Sequence, residues 1–156
     1  MVAFADKDEC ERFMFPDKAP LEKTISDVIN TNKKAFEKYY ISPESAKYKR
    51  LSNYIVDSEQ LYRFADYGIQ SSKNGIAFTL KANVGTYYDR VPIVKDNFGI
   101  SKITPTECLA LQGIPKDFSF PAEVPEREQY KQAGNTMCVP IIEKIFNNNT
   151  DDEKQI

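Results

Sequence analysis

The sequence predicts an α+β fold in which a small, irregular β region lies among short helices. The β region is predicted from turn-forming residues at positions 67–75, which precede the apolar run Ile76-Ala77-Phe78-Thr79-Leu80. The helices are predicted from start and stop signals on both sides of this region. A length of 156 residues, with 41% hydrophobic and 28% charged residues, is typical of one compact domain or a domain fragment.

The first third of the chain is predicted to hold two short helices. Residues 2–5 are apolar, like the end of a strand, and residues 6–12 are charged and turn-like. The segment 24–29 is predicted to be helical because its isoleucines and valine share one face. A second helix is expected to start at Ser42, with this serine as N-cap and Pro43 in the first helical position.

The β region itself is predicted to contain two strands. Residues 76–80 form the first, and residues 83–85 turn the chain. Residues 86–94 form the second, which we expect at the edge of the sheet because Pro92 cannot donate a ladder hydrogen bond.

The stretch Thr104-Pro105-Thr106-Glu107 is a capping box, the strongest helix signal in the chain. Thr104 and Glu107 can each accept a hydrogen bond from the other's backbone amide. Gly113 is expected to close this helix in a left-handed conformation. A helix of about two turns is marginal alone, so we interpret it as a rigid bracket for the preceding region.

The last helix is predicted to begin at Asn135 or Thr136, because Pro140 is tolerated only in a first turn. Free amides behind Gly134 at a helix start would suit a carboxylate or phosphate. The alternative is an ordinary Asn/Thr N-cap without a ligand. From Asn147 onwards we expect a frayed tail.

Composition excludes several kinds of site. Histidine is absent, which removes Ser/His and Cys/His nucleophile pairs and imidazole metal sites, and no metal is predicted. Cys10, Cys108 and Cys138 are odd in number and widely spaced, which favours reduced thiols. No apolar run approaches the roughly 18 to 20 residues of a membrane span and no signal peptide is evident, so a soluble, cytoplasmic protein is expected.

The charge pattern is uneven. A net charge of −2 and a pI near 5.3 do not by themselves indicate a nucleic-acid binder. Basic residues nevertheless cluster in two segments, with acids concentrated in residues 123–128 and 151–153. The basic residues are Lys47, Lys49 and Arg50, followed by Lys81, Arg90, Lys95 and Lys102. A negative net charge is therefore compatible with a locally basic surface.

Taken together, "KITPTECLALQGIPKDFSF" and "YKQAGNTMCVPIIEKIF" resemble the last two ordered motifs of DNA (cytosine-5) methyltransferases, in matching order. "MVAF" with "FMFP" is similar to the end of the preceding motif, and "SSKNGIAFTLKANVG" to the first recognition-loop strand. The resemblance implies the C-terminal part of such an enzyme. Its fold would be α+β, with a C-terminal helix that packs on a Rossmann-like methyltransferase domain absent from this chain.

The resemblance implies a set of DNA contacts. Thr79 matches a threonine that steadies the DNA backbone beside the flipped base, while Lys81, Asn83 and Gly85 fall in the recognition loop. Arg90, in the same basic segment, completes the expected DNA-binding residues. Double-stranded DNA is therefore the expected partner.

The resemblance also implies a cofactor contact. Asn135 and Thr136 match an Asn-Ser pair that contacts the methionine end of S-adenosyl-L-methionine. Lys102 replaces a common arginine, and Thr106 and Ala110 stand where the family usually has arginines. These departures weaken the carry-over of the bracing role of Thr104, Glu107 and Gly113.

Three family motifs are missing: the glycine-rich loop, the Pro-Cys nucleophile loop and Glu-Asn-Val. The three cysteines follow Glu, Glu and Met. The resemblance thus implies that a second chain or a missing N-terminal part completes the cofactor site and supplies the catalytic cysteine, and that this chain is inactive alone.

We accordingly divide the chain into four parts. Residues 1–33 are the end of a catalytic-domain strand and a crossing segment, 34–103 the target-recognition region, 104–146 the bracing helix and cofactor-side helix, and 147–156 a disordered tail. Two interpretations stay open: a recognition subunit or fragment of a methyltransferase, or an inactive remnant or stand-alone DNA-binding module. Apolar surface meant for the catalytic domain could cause self-association.

Overall fold

The computed structural model describes residues 5–20, 22–65, 68–85, 90–115 and 117–150. The chain divides into a larger unit, Leu21–Thr136, and a smaller unit formed by Met1–Pro20 with Met137–Ile156. Within the described ranges, no helix is both long and apolar enough to cross a membrane.

The helices are short, and their bounds are as follows: α1 Lys7–Arg12, α2 Ile25–Val28, α3 Ala46–Ser52, α4 Pro105–Leu111, α5 Glu126–Asn135 and α6 Val139–Thr150, with a 3-10 turn at Glu37–Tyr39. Four antiparallel strands form one sheet in the larger unit: β1 Tyr62–Ala65, β2 Gly68–Ser71, β3 Ile93–Asp96 and β4 Gly99–Lys102. The strand order is β2-β1-β3-β4. This is the mixed helix and small-sheet architecture that the sequence predicted.

Two apolar clusters stabilise the larger unit. One contains Ile25 and Leu61 together with buried residues of α4 and α5, and the other lies between α3 and the sheet around Leu51 and Ile93. Ile93 and Val94 of β3 belong to different clusters because successive side chains of a strand point to opposite faces. Each fully buried side chain of this size contributes about 1.5–3 kcal/mol.

The first predicted strand was misplaced. Residues 77–80 form no strand, and only an isolated bridge joins Lys73 to Ile76. The hairpin β1–β2 lies earlier, partly in residues predicted to be a loop. Just beyond the hairpin the pairing continues, because Ser72 N donates to the Leu61 carbonyl at 2.7 Å and Leu61 N donates to Ser72 Oγ at 2.9 Å. Because these hydrogen bonds join residues that are far apart in the sequence, no local pattern predicts them.

The prediction of the second strand was also wrong in its start and in its place in the sheet. It begins at Ile93 rather than before Pro92, and it is central because it pairs with both β1 and β4. Pro92 is accommodated just outside the strand, where its carbonyl accepts from Ile103 N at 3.1 Å. Residues 86–89, which the prediction included, lie outside the described residues.

Two helix starts differ from the prediction. The helix expected at Ser42 begins at Ala46, because residues 42–45 close a turn and Ser45 Oγ, not Ser42, caps the helix by accepting from Tyr48 N at 3.0 Å. The segment 6–12 is α1 rather than a turn, with Asp6 as its N-cap. The strand expected at residues 2–5 falls almost wholly outside the described residues.

The C-terminal helices differ most from the prediction. Helix α5 ends at Asn135, and α6 begins only at Val139, so the predicted helix start at Asn135 or Thr136 is wrong. Pro140 does lie in the first turn of α6, as expected. The helix also runs through residues 147–150, which had been assigned to the tail; residues 151–156 lie outside the described residues.

Candidate nucleic-acid interface

An open groove of about 620 Å³ lies beside the β1–β2 hairpin in the larger unit. Thr79, Lys81, Asn83 and Arg90, four of the five residues expected to contact DNA, line it. All four are exposed. The fold therefore brings the predicted side chains to one surface.

Gly85, the fifth residue, faces helix α5 instead of the groove. It adopts a φ of +79°, and a Cβ built on it would lie 2.5 Å from the Cβ of Tyr130. A side chain here would therefore both strain the backbone and collide with α5. Glycine is needed at this position for close packing.

The turn 81–84 packs against α5 with equal closeness. Val84 N donates to the Lys81 carbonyl at 2.8 Å, which closes the turn, and Val84 is buried. A Cβ on Gly134 would lie 2.1 Å from that carbonyl oxygen. Only a residue without a side chain allows this approach of turn and helix.

Tyr130 links α5 to the start of the capped helix. Its hydroxyl donates to the Ile103 carbonyl at 2.6 Å in a buried setting. Burial is the main cause that raises the pKa of Tyr130, so the phenol remains a neutral donor. The bond fixes α5 next to the residue that precedes Thr104.

Helix α4 is capped at both ends, as predicted. Thr104 N donates to Glu107 Oε2 at 2.7 Å, and Glu107 N donates to Thr104 Oγ1 at 3.2 Å. At the other end Gly113 has a φ of +86°, with Ile114 N donating to the Leu109 carbonyl. This is a Schellman motif.

One cysteine of this helix is inaccessible. Cys108 is fully buried in the core, and burial raises the pKa of its thiol. A neutral, buried thiol is a poor nucleophile.

The N-terminus of α5 is tied to the 3-10 turn. Glu126 forms an ion pair with Lys38 and accepts from the Tyr39 hydroxyl at 3.1 Å. The bond to Glu126 raises the pKa of Lys38, whereas burial lowers that of Lys102, whose Nζ lies 6.0 Å from the Tyr39 ring centroid. The acidic segment 123–128 is therefore partly buried, and its last three residues belong to α5.

The sequence did not single out Arg63, Gln70 and Phe78, which also line the groove. Arg63 Nε and Nη2 donate to Gln70 Oε1 at 3.2 and 3.0 Å, and Arg63 Cζ lies 4.4 Å from the centroid of the Phe78 ring. Arg63 and Gln70 are direct cross-strand partners in β1 and β2. The available signal was an arginine between two aromatic residues in the run from Leu61 to Ala65, because aromatic residues favour strands.

Helix α3 brings further positive charge to the groove wall. The Phe64 ring, which lines the groove, lies 4.7 Å from Lys47 Nζ and 5.8 Å from Arg50 Cζ. These distances are those of cation–π contacts. The basic cluster noted in the sequence therefore adjoins the predicted DNA contacts.

Asn135 and Thr136 do not form the helix-start anion site that the sequence predicted. Asn135 is the last residue of α5, and Thr136 is its C-cap, with an Oγ1 that donates to the Gln132 carbonyl at 2.9 Å. The C-terminal end of a helix carries a partial negative charge. It favours a cation rather than an anion.

No group of three or more His, Cys, Asp or Glu side chains in the described part of the chain could hold a metal ion.

Residues 2–150 match the model of the C-5 cytosine-specific DNA methylase family. The chain belongs to this family.

Curated relatives of this methylase-family chain are Type II methyltransferases. M.Bsp6I of Bacillus sp. (strain RFL6) is 36% identical over 149 residues, covering 95% of this chain and 47% of the relative. M.NlaX of Neisseria lactamica is 28% identical over 134 residues, covering 85% and 41%. M.HaeII of Haemophilus aegyptius is 27% identical over 145 residues, covering 93% and 42%.

The methylase-family chain thus spans less than half the length of these relatives. The family match includes both the groove and the end of α5. Both features therefore lie within the methylase-like part of the sequence.

Proposed function

We propose that this chain is the C-terminal fragment or subunit of a DNA (cytosine-5-)methyltransferase. It supplies target recognition and part of the S-adenosyl-L-methionine site for methyl transfer to cytosine C5 in duplex DNA. The observation that carries the proposal is the groove in which Thr79, Lys81, Asn83 and Arg90 meet, in a chain of the C-5 cytosine-specific DNA methylase family.

The charge of the groove supports duplex DNA as its ligand. Arg63, Lys81 and Arg90 are among its described lining residues, and no acidic side chain is. The groove is therefore locally basic although the chain as a whole carries a net charge of −2. Lysine and arginine side chains that neutralise phosphates supply much of the affinity for DNA.

The end of α5 fits the amino-acid part of the cofactor. The Asn135 amide is exposed and can donate to a carboxylate, and the C-terminal end of the helix favours an ammonium group. The Thr136 hydroxyl donates to Gln132 and keeps its lone pairs for a cationic donor. When bound, S-adenosyl-L-methionine supplies a methyl group activated on a sulfonium.

The nucleophile has to come from elsewhere. The family reaction requires a cysteine thiolate that attacks the flipped base. Cys108 is buried with a raised pKa, and neither Cys10 nor Cys138 follows a proline. We therefore assign the covalent step to a second chain or to an N-terminal segment that carries the Pro-Cys motif.

The smaller unit supports a docking role for that catalytic domain. It exposes several large apolar side chains: Met14, Phe15, Met137, Ile141 and Phe146. Exposed apolar side chains in such number are typical of surfaces that another protein covers. We propose that a Rossmann-like domain covers them, and that they promote self-association when the chain is alone.

Binding of the full chain to a fluorescent duplex tests the groove. Lys81→Gln and Arg90→Gln should each weaken binding and lower the slope of log affinity against log salt by about 0.9, the value for one lost phosphate contact. Lys131→Gln removes the same charge from an exposed position on α5 outside the groove and should leave the slope unchanged. Equal slopes for all four proteins would contradict the proposal.

A further inference from the structure

The Arg63 guanidinium is held on two sides. Gln70 Oε1 accepts from both Nε and Nη2, at 3.2 and 3.0 Å, and Cζ lies over the Phe78 ring at 4.4 Å from its centroid. Gln70 itself is fixed opposite Arg63 by the strand register of β1 and β2. The orientation of the guanidinium is therefore set before any ligand binds.

This arrangement occupies one edge of the guanidinium and leaves another available. A guanidinium offers five N–H donors in a rigid plane. The Nε–Nη2 edge is used by Gln70, and among the described residues no acceptor contacts the edge formed by Nη1 and the second Nη2 hydrogen. Arg63 is only half-buried and lines the groove. Two parallel donors thus remain for a ligand there.

We propose that Arg63 is a specificity-determining residue that reads the O6 and N7 acceptors of a guanine in duplex DNA, with Gln70 and Phe78 as positioning residues. The inference rests on the proposed function, because it requires DNA in the groove. A pair of acceptors is also offered by a backbone phosphate. The favoured ligand is the guanine edge, since a fixed bidentate fork matches it and is the commonest specific contact to DNA.

The neighbouring cations support this division of roles. Lys81 and Arg90 are exposed on the same groove, and long exposed cations are sufficient for contacts to phosphates. A phosphate contact does not need an arginine held by both an amide and an aromatic ring. The immobilisation of Arg63 is useful where the position of the donors selects one base over another.

The test is a selection of binding sites by the full chain from duplex DNA with randomised positions, followed by affinity measurements on the selected duplex. Replacing one guanine by 7-deazaguanine, or Arg63 by lysine, should weaken binding about 5- to 150-fold, the range of one bidentate base contact. Both changes together should weaken it little further than either one, because they remove the same contact. Arg127→Lys, on an exposed position outside the groove, is the matched control.

A second variant separates positioning from contact. Gln70→Ala leaves the Arg63 charge in place but frees its Nε–Nη2 edge, so it should reduce the affinity for the selected duplex more than the affinity for unselected duplex. Circular dichroism should show that each variant remains folded.

The outcomes distinguish the two proposals. Duplex binding without any guanine preference, or a preference that survives Arg63→Lys, overturns this inference alone. An equal loss on selected and unselected duplexes caused by Arg63→Lys, with no added loss from 7-deazaguanine, identifies a phosphate contact and also overturns it. Failure of the wild-type chain to bind duplex DNA at all overturns the proposed function and this inference together.

Discussion

Gly134 lies directly against the carbonyl oxygen of Lys81: a Cβ on Gly134 would be 2.1 Å from that oxygen. Lys81 belongs to the turn that lines the groove, and Gly134 immediately precedes Asn135 and Thr136 at the end of α5. One backbone contact thus joins the proposed DNA-contacting turn to the proposed cofactor-side segment. A shift at either end would displace the other.

The first prediction concerns this contact. Gly134→Ala should lower the free energy of unfolding in urea by up to about 2 kcal/mol, because a clash of about 1–3 kcal/mol is opposed by a helix propensity gain of about 1 kcal/mol. Duplex affinity should fall as well, since the turn 81–84 must move. Gln132→Ala, at an exposed position two residues earlier in α5, should change the stability by less than about 0.5 kcal/mol. Stabilisation by Gly134→Ala would show that helix propensity prevails and that the contact is loose.

The second prediction concerns the capping box of α4. Thr104→Ala should cost about 0.5–2 kcal/mol, since it leaves the Glu107 amide without its acceptor. Thr104→Ser keeps the oxygen and should retain most of that stability. Chemical denaturation of the wild type and both variants measures the difference. Equal losses for alanine and serine would mean that the Thr104 methyl group, not the cap, stabilises this end.

The third prediction concerns the pH dependence of stability through Tyr40. Partial burial and the bond that its hydroxyl donates to Asp96 Oδ2 at 2.6 Å raise its pKa from 10.0 to about 12. A pKa raised in the folded state stabilises the protein below the unfolded value and loses that effect as pH rises through the folded value.

The stability difference between wild type and Tyr40→Phe should therefore be constant below about pH 9 and decline between about pH 10 and 12. Urea titrations at a series of pH values measure it. Because the other ionisable groups are shared by both proteins, their titration cancels in the difference. A difference that stays constant up to pH 12 would contradict the raised pKa of Tyr40.

The fourth prediction concerns thiol accessibility. Cys10 is exposed and Cys108 is buried, so a thiol reagent should modify Cys10 in the native protein and Cys108 only after unfolding. Cys10→Ser should remove the Cys10 part of native-state modification, leaving that of the half-buried Cys138 and the slow modification of Cys108 unchanged. Rapid native-state labelling of Cys108, identified by peptide mass, would mean that α4 opens readily and cannot act as a brace.

The local parts of this fold could be predicted from the sequence. The capping box of α4 and its end at Gly113 involve residues within one or two turns of each other. A short stretch of sequence is therefore sufficient to predict both ends of this helix. The α2 helix was predicted for the same reason. The resemblance to known methylases then supplied the residues that meet in the groove.

The parts that depend on distant contacts could not be predicted. Gly134 was interpreted as a helix boundary, but it lies inside α5, where the Lys81 carbonyl occupies the space that a Cβ would take. Likewise, Arg63 acquires its role only through Gln70 across the hairpin and Phe78 beyond it. The strand propensity of a segment does not determine which other segment it pairs with.

The most direct test of the central claim is methyl transfer from labelled S-adenosyl-L-methionine to duplex DNA by this chain mixed with a chain that carries the glycine-rich loop and the Pro-Cys motif. The claim predicts incorporation well above that of either chain alone, lost when the Pro-Cys cysteine is replaced by serine and reduced by Lys81→Gln in this chain. Transfer by this chain alone, or a purified complex that transfers no more than the catalytic chain by itself, would contradict it.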